Sequence, residues 1–299
     1  MTSIPIDLKN KALETPNINA AVVCPNEESV LLAVIEAKEI NLINPILIGK
    51  KSLIEKTANQ VNLEINSYNI IEINNEQEAA TVACKLANED KVKIIIKGNL
   101  HTDILMRYYL KKEFNLIVGR RLSHIWHMTA QKLNKPLFIT DGAINVLPRV
   151  EIKLQILKNA VDFCNKLNIF KPKVAILSGT EDPIDSMPSS IEAQKVMELA
   201  NKENVDALVH GPLAFDNAIS EEAAKIKNIK NEVAGKADIL LVPNLETGNS
   251  LSKIMVYFMD ACAAGIVVGG KVPVVVPSRA DSKISKLSSI MAAVVAAQN

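Results

Sequence analysis

Residues 20–49 read AAVVCPNEESVLLAVIEAKEINLINPILIG. Residues 20–24 form a β-rich run that stops at Pro25. Residues 27–41 then place Val30, Leu31, Val34 and Ile35 on one helical face, and 45–49 form a second β-rich run. Two strands flanking a helix of this length are parallel neighbours joined by a crossover. The pattern repeats downstream, with helical stretches at 52–59, 76–89 and 102–113 and strands at 69–73 and 93–97. This alternation predicts a doubly wound, mostly parallel α/β sheet.

The rhythm breaks between 123 and 148. Residues 123–129 and 137–140 read as two strands with no helix between them. Gly142, Asn145 and Pro148 then supply turn formers ahead of a long helix at 149–167, which places a domain boundary here. Alternation resumes with strands at 173–178, 207–210, 238–243, 265–268 and 272–276. Helices are predicted at 191–202, near 217–227, at 249–261 and at 282–297. Ser189 and Glu192 read as a capping box opening the second-half helix at 191. The last helix shows Ile284, Leu287, Met291, Val294 and Val295 on one side.

The chain has 299 residues, about two domains at roughly 150 residues each, and 48% of them are hydrophobic. Its 34 Lys and Arg nearly balance 33 Asp and Glu, so no global field draws in nucleic acid or an anionic membrane. Any bound anion must be held by a few placed groups. The amino-terminal residues include Asp7 and no continuous apolar run, so no secretory leader is expected, and no apolar run is long enough to span a bilayer. Cys24, Cys84, Cys164 and Cys262 are scattered, which favours reduced thiols and a cytoplasmic location over disulfides or zinc. His101, His124, His127 and His210 form no ligand set, so no metal site is expected. A nucleophile elbow and a dinucleotide glycine motif are both missing.

Three strand-to-helix junctions carry candidate chemistry. In the first, the run at 272–277 leads into Ser278-Arg279-Ala280-Asp281-Ser282. Backbone N–H groups at such a junction attract anions, and Arg279 adds a planar donor fork suited to phosphate. The same residues also satisfy a capping box with an ordinary surface arginine, and spacing leaves both readings open. In the second, Lys97-Gly98-Asn99-Leu100-His101-Thr102 follows a strand, and Lys97 and Thr102 are possible phosphate donors beside a plain strand–cap reading. In the third, Thr247, Gly248 and Asn249 with Lys253 one turn on form a potential anion nest, or an ordinary helix cap.

Read in order, these blocks resemble one family. Lys97-Gly98 with His101-Thr102, Gly119-Arg120-Arg121-Leu122-Ser123-His124, and Ile139-Thr140-Asp141-Gly142-Ala143-Ile144-Asn145 lead the series. They are followed by Gly211-Pro212-Leu213 through Ser220, Ala234-Gly235-Lys236 through Pro243, Gly248-Asn249, and Ser278-Arg279-Ala280-Asp281-Ser282. The set is similar to the phosphate acetyltransferase/phosphate butyryltransferase family and stands nearer its butyryltransferase branch. The resemblance implies two doubly wound lobes around a cleft, like those of isocitrate and isopropylmalate dehydrogenases. It also implies a first domain of residues 1–142 with 278–299, a second of 143–277, and a homodimer. The implied reaction is reversible transfer of a short acyl group between coenzyme A and inorganic phosphate. Coenzyme A is a substrate there, and no cofactor is implied.

The same resemblance gives Arg279 the phosphate or acyl phosphate and Ser278 a hydrogen bond at the reacting centre. With the junction readings, Lys97, Thr102, Ser123, Gly248, Asn249 and Lys253 make up the candidate phosphate- and coenzyme A-binding set. The acetyl branch has an Asp seven residues after the motif serine, where this chain has Ser285. Asp281 is the nearest carboxylate, and it is the candidate to orient the site or to act as base toward the thiol. His210 and Asn244 also stand where the family commonly has Asp. Competing readings are a phosphate acetyltransferase, a dehydrogenase of the same fold, and a coenzyme A-binding protein without turnover.

Overall fold

The computed structural model describes residues 2–65 and 67–298. Two compact units account for the chain: a terminal unit, Thr2–Arg120 with the stretch from Ala264 onward, and a middle unit, Arg121–Ala263. Both crossings lie earlier in the chain than the expected 142/143 and 277/278. The reason lies in the strand pairing described below.

The terminal unit opens with a helix the periodicity did not indicate, α1 (Ile6–Leu13), which buries only Leu8 and Ala12. The alternation then follows the sequence: β1 (Ile18–Val23), α2 (Glu28–Glu39), β2 (Ile43–Gly49), α3 (Lys51–Gln60), β3 (Asn69–Glu72), α4 (Glu76–Asn88), β4 (Ile94–Lys97) and α5 (Thr102–Tyr109). The helix expected to run to Glu113 stops at Tyr109, and a separate 3-10 turn covers Lys112–Phe114.

The middle unit runs β5 (Ser123–Thr129), β6 (Leu137–Thr140), α6 (Val150–Lys166), β7 (Lys173–Leu177), α7 (Pro188–Lys202), β8 (Leu208–Leu213), α8 (Phe215–Ile219), α9 (Glu221–Ile226), β9 (Ile239–Leu241) and α10 (Leu245–Met259). Its strand order is β5-β6-β9-β7-β8, with β5 antiparallel to β6 and the rest parallel. Phe138, Ile139 and Thr140 of β6 pair with Ile239, Leu240 and Leu241 of β9, so the 123–140 hairpin belongs to this unit and not to the first. The Ser189 capping box does not form. Pro188 opens α7 at its first turn, where a missing N–H costs nothing, and Ser189 meets Ser178 Oγ at 2.9 Å instead. The single helix expected near 217–227 is two short ones, with Ser220 capping the second through Ala223 N.

The chain returns to the terminal unit through β10 (Cys262–Val268), β11 (Val274–Val275) and α11 (Lys283–Ala296). The strand order in this unit is β3-β2-β1-β4-β11-β10. Strands β1, β2, β3, β4 and β11 are parallel, and β10 is antiparallel to β11. The strand expected at 272–276 shrinks to two residues, but Val274 and Val275 pair with Ile95 and Ile96. That pairing draws the segment after Ala264 into the terminal unit.

Helix α11 is buried from Ser285 to Val295 on every side. Its apolar stripe was legible, but the opposite face is built of Ser288, Ser289, Ala292 and Ala293, small enough to be enclosed as well. Ser289 Oγ accepts from Gly265 N (2.9 Å) and donates to Ser285 O (2.8 Å), so this polar face is satisfied within the core. Helix α11 packs against α1, α2, β4 and β11. All four cysteines are free, and among the described residues no helix is long and apolar enough to cross a membrane.

Tyr109 anchors the approach to β11. Its hydroxyl donates to Val272 O (2.6 Å) and accepts from Val272 N (3.3 Å) in a fully buried position. Tyr109→Phe strands both backbone groups, and we expect a loss of about 1–3 kcal/mol of stability in urea denaturation followed by circular dichroism. An unchanged midpoint would show that the pair is replaced by other partners.

Candidate active site

Strand β1 lies between β2 and β4, so the chain leaves its carboxyl end to one side through α2 and returns on the other through β4. Crevices at such reversals are where doubly wound sheets hold ligands. The two strand ends are tied beyond the strands themselves: Gly98 N donates to Val23 O (2.8 Å) and Asn99 N to Cys24 O (2.8 Å). A Cβ on Gly98 would lie 2.2 Å from Cys24 O, so only glycine permits this approach. Cys24 itself is half-buried in the left-handed region (φ 53°). Burial, aided by the charge of Glu76, pushes its thiol up to about 11.

Lys97 ends β4 and is buried. Its ammonium donates to Gly98 O (3.2 Å) and Leu100 O (3.0 Å), folding back over its own turn. Burial lowers its pKa, Glu27 opposes that, Arg279 and Lys286 add to it, and Asp281 opposes it. These five groups therefore share one electrostatic neighbourhood, three cations against two carboxylates. Thr102 starts α5 and is half-buried, behind an N-cap, His101, whose side chain makes no cap hydrogen bond.

The 278–281 segment follows β11 at the same edge of the sheet. Ser278 N donates to Asp281 Oδ2 (2.8 Å) and Asp281 N to Ser278 O (3.1 Å), closing a tight turn. The capping-box reading is thus half right: Asp281 braces the turn, while the cap of α11 is Ser282, whose Oγ accepts from Ser285 N (3.1 Å). Ser278 and Arg279 are exposed, and among the described residues the Arg279 guanidinium makes no hydrogen bond or ion pair. Sequence reasoning missed the group beneath the turn. Lys286, buried at the end of the first turn of α11, donates to Glu27 Oε1 (2.8 Å) and Ser29 Oγ (2.6 Å), and Ser29 in turn donates to Glu27 (2.7 Å). A lysine amid an apolar helix was the available signal.

The other candidates lie in the middle unit. Ser123 is fully buried, and its Oγ accepts from Asn159 Nδ2 (2.9 Å), which ties β5 to α6. Gly248 and Asn249 do not begin their helix as expected. Asn244 caps α10, accepting from Thr247 N (2.9 Å) and Thr247 Oγ (2.7 Å), which moves the helix start back to Leu245. Gly248 instead meets Gly142: a Cβ on Gly248 would lie 2.9 Å from Asp141 O, and one on Gly142 2.3 Å from the Trp126 ring. Asn249 Nδ2 donates to Gly142 O at 3.4 Å.

Beside this contact, the buried Asp141 carboxylate accepts from Ala143 N (2.9 Å), Ile144 N (3.0 Å) and Asn145 Nδ2 (2.6 Å), fixing the loop after β6. Burial raises its pKa against those bonds. Lys253 is half-buried on α10, and its charge, after burial, helps hold His124 down to about 3, a neutral imidazole.

Comparison with known proteins bears on this arrangement. A family model described as phosphate acetyl/butaryl transferase matches residues 75–295. The chain belongs to that family. It is 41% identical over 278 residues to the phosphate acetyltransferase of Rickettsia felis, covering 92% of this chain and 80% of that one. It is 37% identical over 295 residues to the phosphate butyryltransferase of Clostridium acetobutylicum, covering 98% and 97%. A crystal structure of a branched-chain phosphotransacylase from Enterococcus faecalis superposes with a TM-score of 0.83 at 31% identity, over 94% of this chain and 99% of that one. The fold alone extends further, to a 4-hydroxythreonine-4-phosphate dehydrogenase from Klebsiella pneumoniae (TM-score 0.57, 11% identity, 94% and 99% covered). The dehydrogenase-like architecture expected of the phosphate acetyl/butaryl transferase family is therefore the one observed.

Two positions that the resemblance singled out make definite contacts. Asn244 keeps the cap an Asp would make there, since the amide oxygen accepts the same N–H. Ser285 is buried and bonded to Ser282 and Ser289. Half-buried His210 lies on β8 opposite Ala175, and burial lowers its pKa.

Desolvation works to raise the Glu27 carboxyl, but the hydrogen bonds from Lys286 and Ser29 and the charges of Lys286 and Lys97 hold it below its ordinary 4.5. Its contribution is complete above that value and is lost as pH falls through the lower folded value, because the unfolded chain takes up the proton first. We expect stability measured by urea denaturation to decline below pH 4.5, and Glu27→Gln to show a shallower decline. Equal slopes would place the acid sensitivity elsewhere.

Proposed function

We propose that the protein is a phosphate acyltransferase that moves a short acyl group, butyryl or one of similar length, reversibly between coenzyme A and inorganic phosphate. The observation that carries this reading is the exposed, unpaired Arg279 on the 278–281 turn, beside Lys97 and Lys286 at the carboxyl ends of β1, β4 and β11. With cations in excess there, a dianion such as phosphate lowers the energy of the charged set. The guanidinium offers it two parallel donors.

In the forward direction a phosphate oxygen attacks the thioester carbonyl, the carbonyl oxygen takes up negative charge, and the carbon–sulfur bond breaks to release the thiolate. Arg279 holds and aims the phosphate, with Lys97 and Thr102 near the same edge. Ser278 donates its hydroxyl hydrogen to the developing oxyanion. Asp281 spends one oxygen on Ser278 N, which supports a role in shaping the turn. In the middle unit, Lys253 is the candidate for an anionic group of coenzyme A, while Ser123, Gly248 and Asn249 act through packing. Coenzyme A is consumed or released as a substrate, and the chemistry calls for no added cofactor.

Butyryl transfer is favoured by the Ser-Arg-Ala-Asp-Ser turn and the serine at 285. Acetyl transfer is the second reading, favoured by the higher identity to the Rickettsia felis acetyltransferase. A buried methylene is worth about 1–3 kcal/mol, so the ratio of kcat/KM for butyryl- and acetyl-coenzyme A separates them. In a thiol-release assay we expect phosphate-dependent turnover, reduced by about 10²–10³ in Arg279→Ala. No phosphate-dependent release from acetyl-, propionyl- or butyryl-coenzyme A would overturn the assignment.

The reading includes a cytoplasmic homodimer. Ile254, Tyr257 and Phe258 lie one turn apart on α10 and are 51%, 67% and 84% exposed, an apolar strip suited to a second copy. Sedimentation of Tyr257→Ser/Phe258→Asp should give a monomer where the natural chain gives a dimer. A persistent dimer would assign the contact to another face.

A further inference from the structure

We infer that Lys286 is a positioning residue for the phosphate-binding turn: its ammonium grips the backbone of residues 279 and 281, and Glu27 and Ser29 grip the ammonium. The inference rests on the reading that Arg279 holds phosphate.

A cation at this place is unfavourable on local grounds. Lys286 is the fourth residue of α11, where the helix dipole repels positive charge, and its side chain is 3% exposed. Burying an ammonium is costly unless its protons are taken up by acceptors. Four acceptors surround it: Ser29 Oγ at 2.6 Å, Glu27 Oε1 at 2.8 Å, Asp281 O at 3.1 Å and Arg279 O at 3.4 Å. Three protons serve these four, so the group is saturated.

The identity of the acceptors distinguishes positioning from plain stability. Two of them belong to the loop and helix start after β1. The other two are main-chain carbonyls of the very turn that presents Arg279 and Ser278. One ammonium thus joins the loop after β1, the turn after β11 and the first turns of α11. The turn's own hydrogen bonds, between Ser278 and Asp281, close it on itself but do not orient it on the sheet edge. Lys286 supplies that orientation from below, while the Arg279 side chain remains open to an anion.

The test is a double-variant cycle on the full chain, reading KM for phosphate and for acyl-coenzyme A separately. Lys286→Met keeps the unbranched stem and removes the ammonium. We expect it to raise the phosphate KM about tenfold and the acyl-coenzyme A KM by less than about twofold. In an Arg279→Ala background the same change should leave the phosphate KM where Arg279→Ala alone puts it. An unchanged phosphate KM in Lys286→Met, equal increases for both substrates, or full additivity with Arg279→Ala overturns the inference and leaves the phosphate reading intact. If Arg279→Ala alone does not move the phosphate KM, the phosphate reading fails and the inference falls with it. Should Lys286→Met not fold, Glu27→Gln with Ser29→Ala loosens the same ammonium. A rise of about threefold in the phosphate KM is then expected, and no rise overturns the inference.

Discussion

Beneath the carboxyl ends of β1, β4 and β11, two lysine ammonium groups are taken out of water with one half-buried glutamate close at hand. Burying such groups is costly without acceptors, and the surrounding backbone supplies them. Carbonyls of Gly98 and Leu100 receive Lys97, and carbonyls of Arg279 and Asp281 share Lys286. Satisfying buried charge therefore dictates the course of two loops. The tight junction of Gly98 with the Cys24 carbonyl is the steric half of the same constraint, because it brings β4's end against the loop that carries Glu27.

The middle unit solves a related problem with a buried anion. Asp141 collects N–H donors from the loop that follows it, and the facing glycines Gly142 and Gly248 let that loop lie flat against α10. Gly248 and Asn249, candidate ligand contacts in the linear motif, also bring α10 against the loop after β6, and Ser123 ties β5 to α6. Their place in a collinear motif set is explained by packing at least as well as by binding.

Much of the architecture was legible because strand runs and amphipathic helices carry distinct periods. Residues 123–129 and 137–140 emerged with the bounds that the structure shows, and the β-α alternation survives in both units. What escaped depends on pairing between distant segments. Nothing local in 137–140 announces that it joins β9, or in 274–275 that it joins β4, so the unit boundaries were displaced. For Lys286 the one local signal is its place in an otherwise apolar helix, and its partner Glu27 lies at the opposite end of the chain. The α10 start was missed because Asn244, read as a lost carboxylate, serves as a cap. The Ser-Arg turn itself was found by its residue types, while its support from below was invisible.

Cys24 has a further consequence for a protein of this family. A thiolate is a strong nucleophile toward thioesters and oxidants, and Cys24 stands at the end of β1, with its backbone against Gly98. With its thiol pushed up to about 11 by burial, Cys24 is held as the neutral thiol at neutral pH. The same burial that packs Cys24 against the strand end thus leaves it a poor nucleophile.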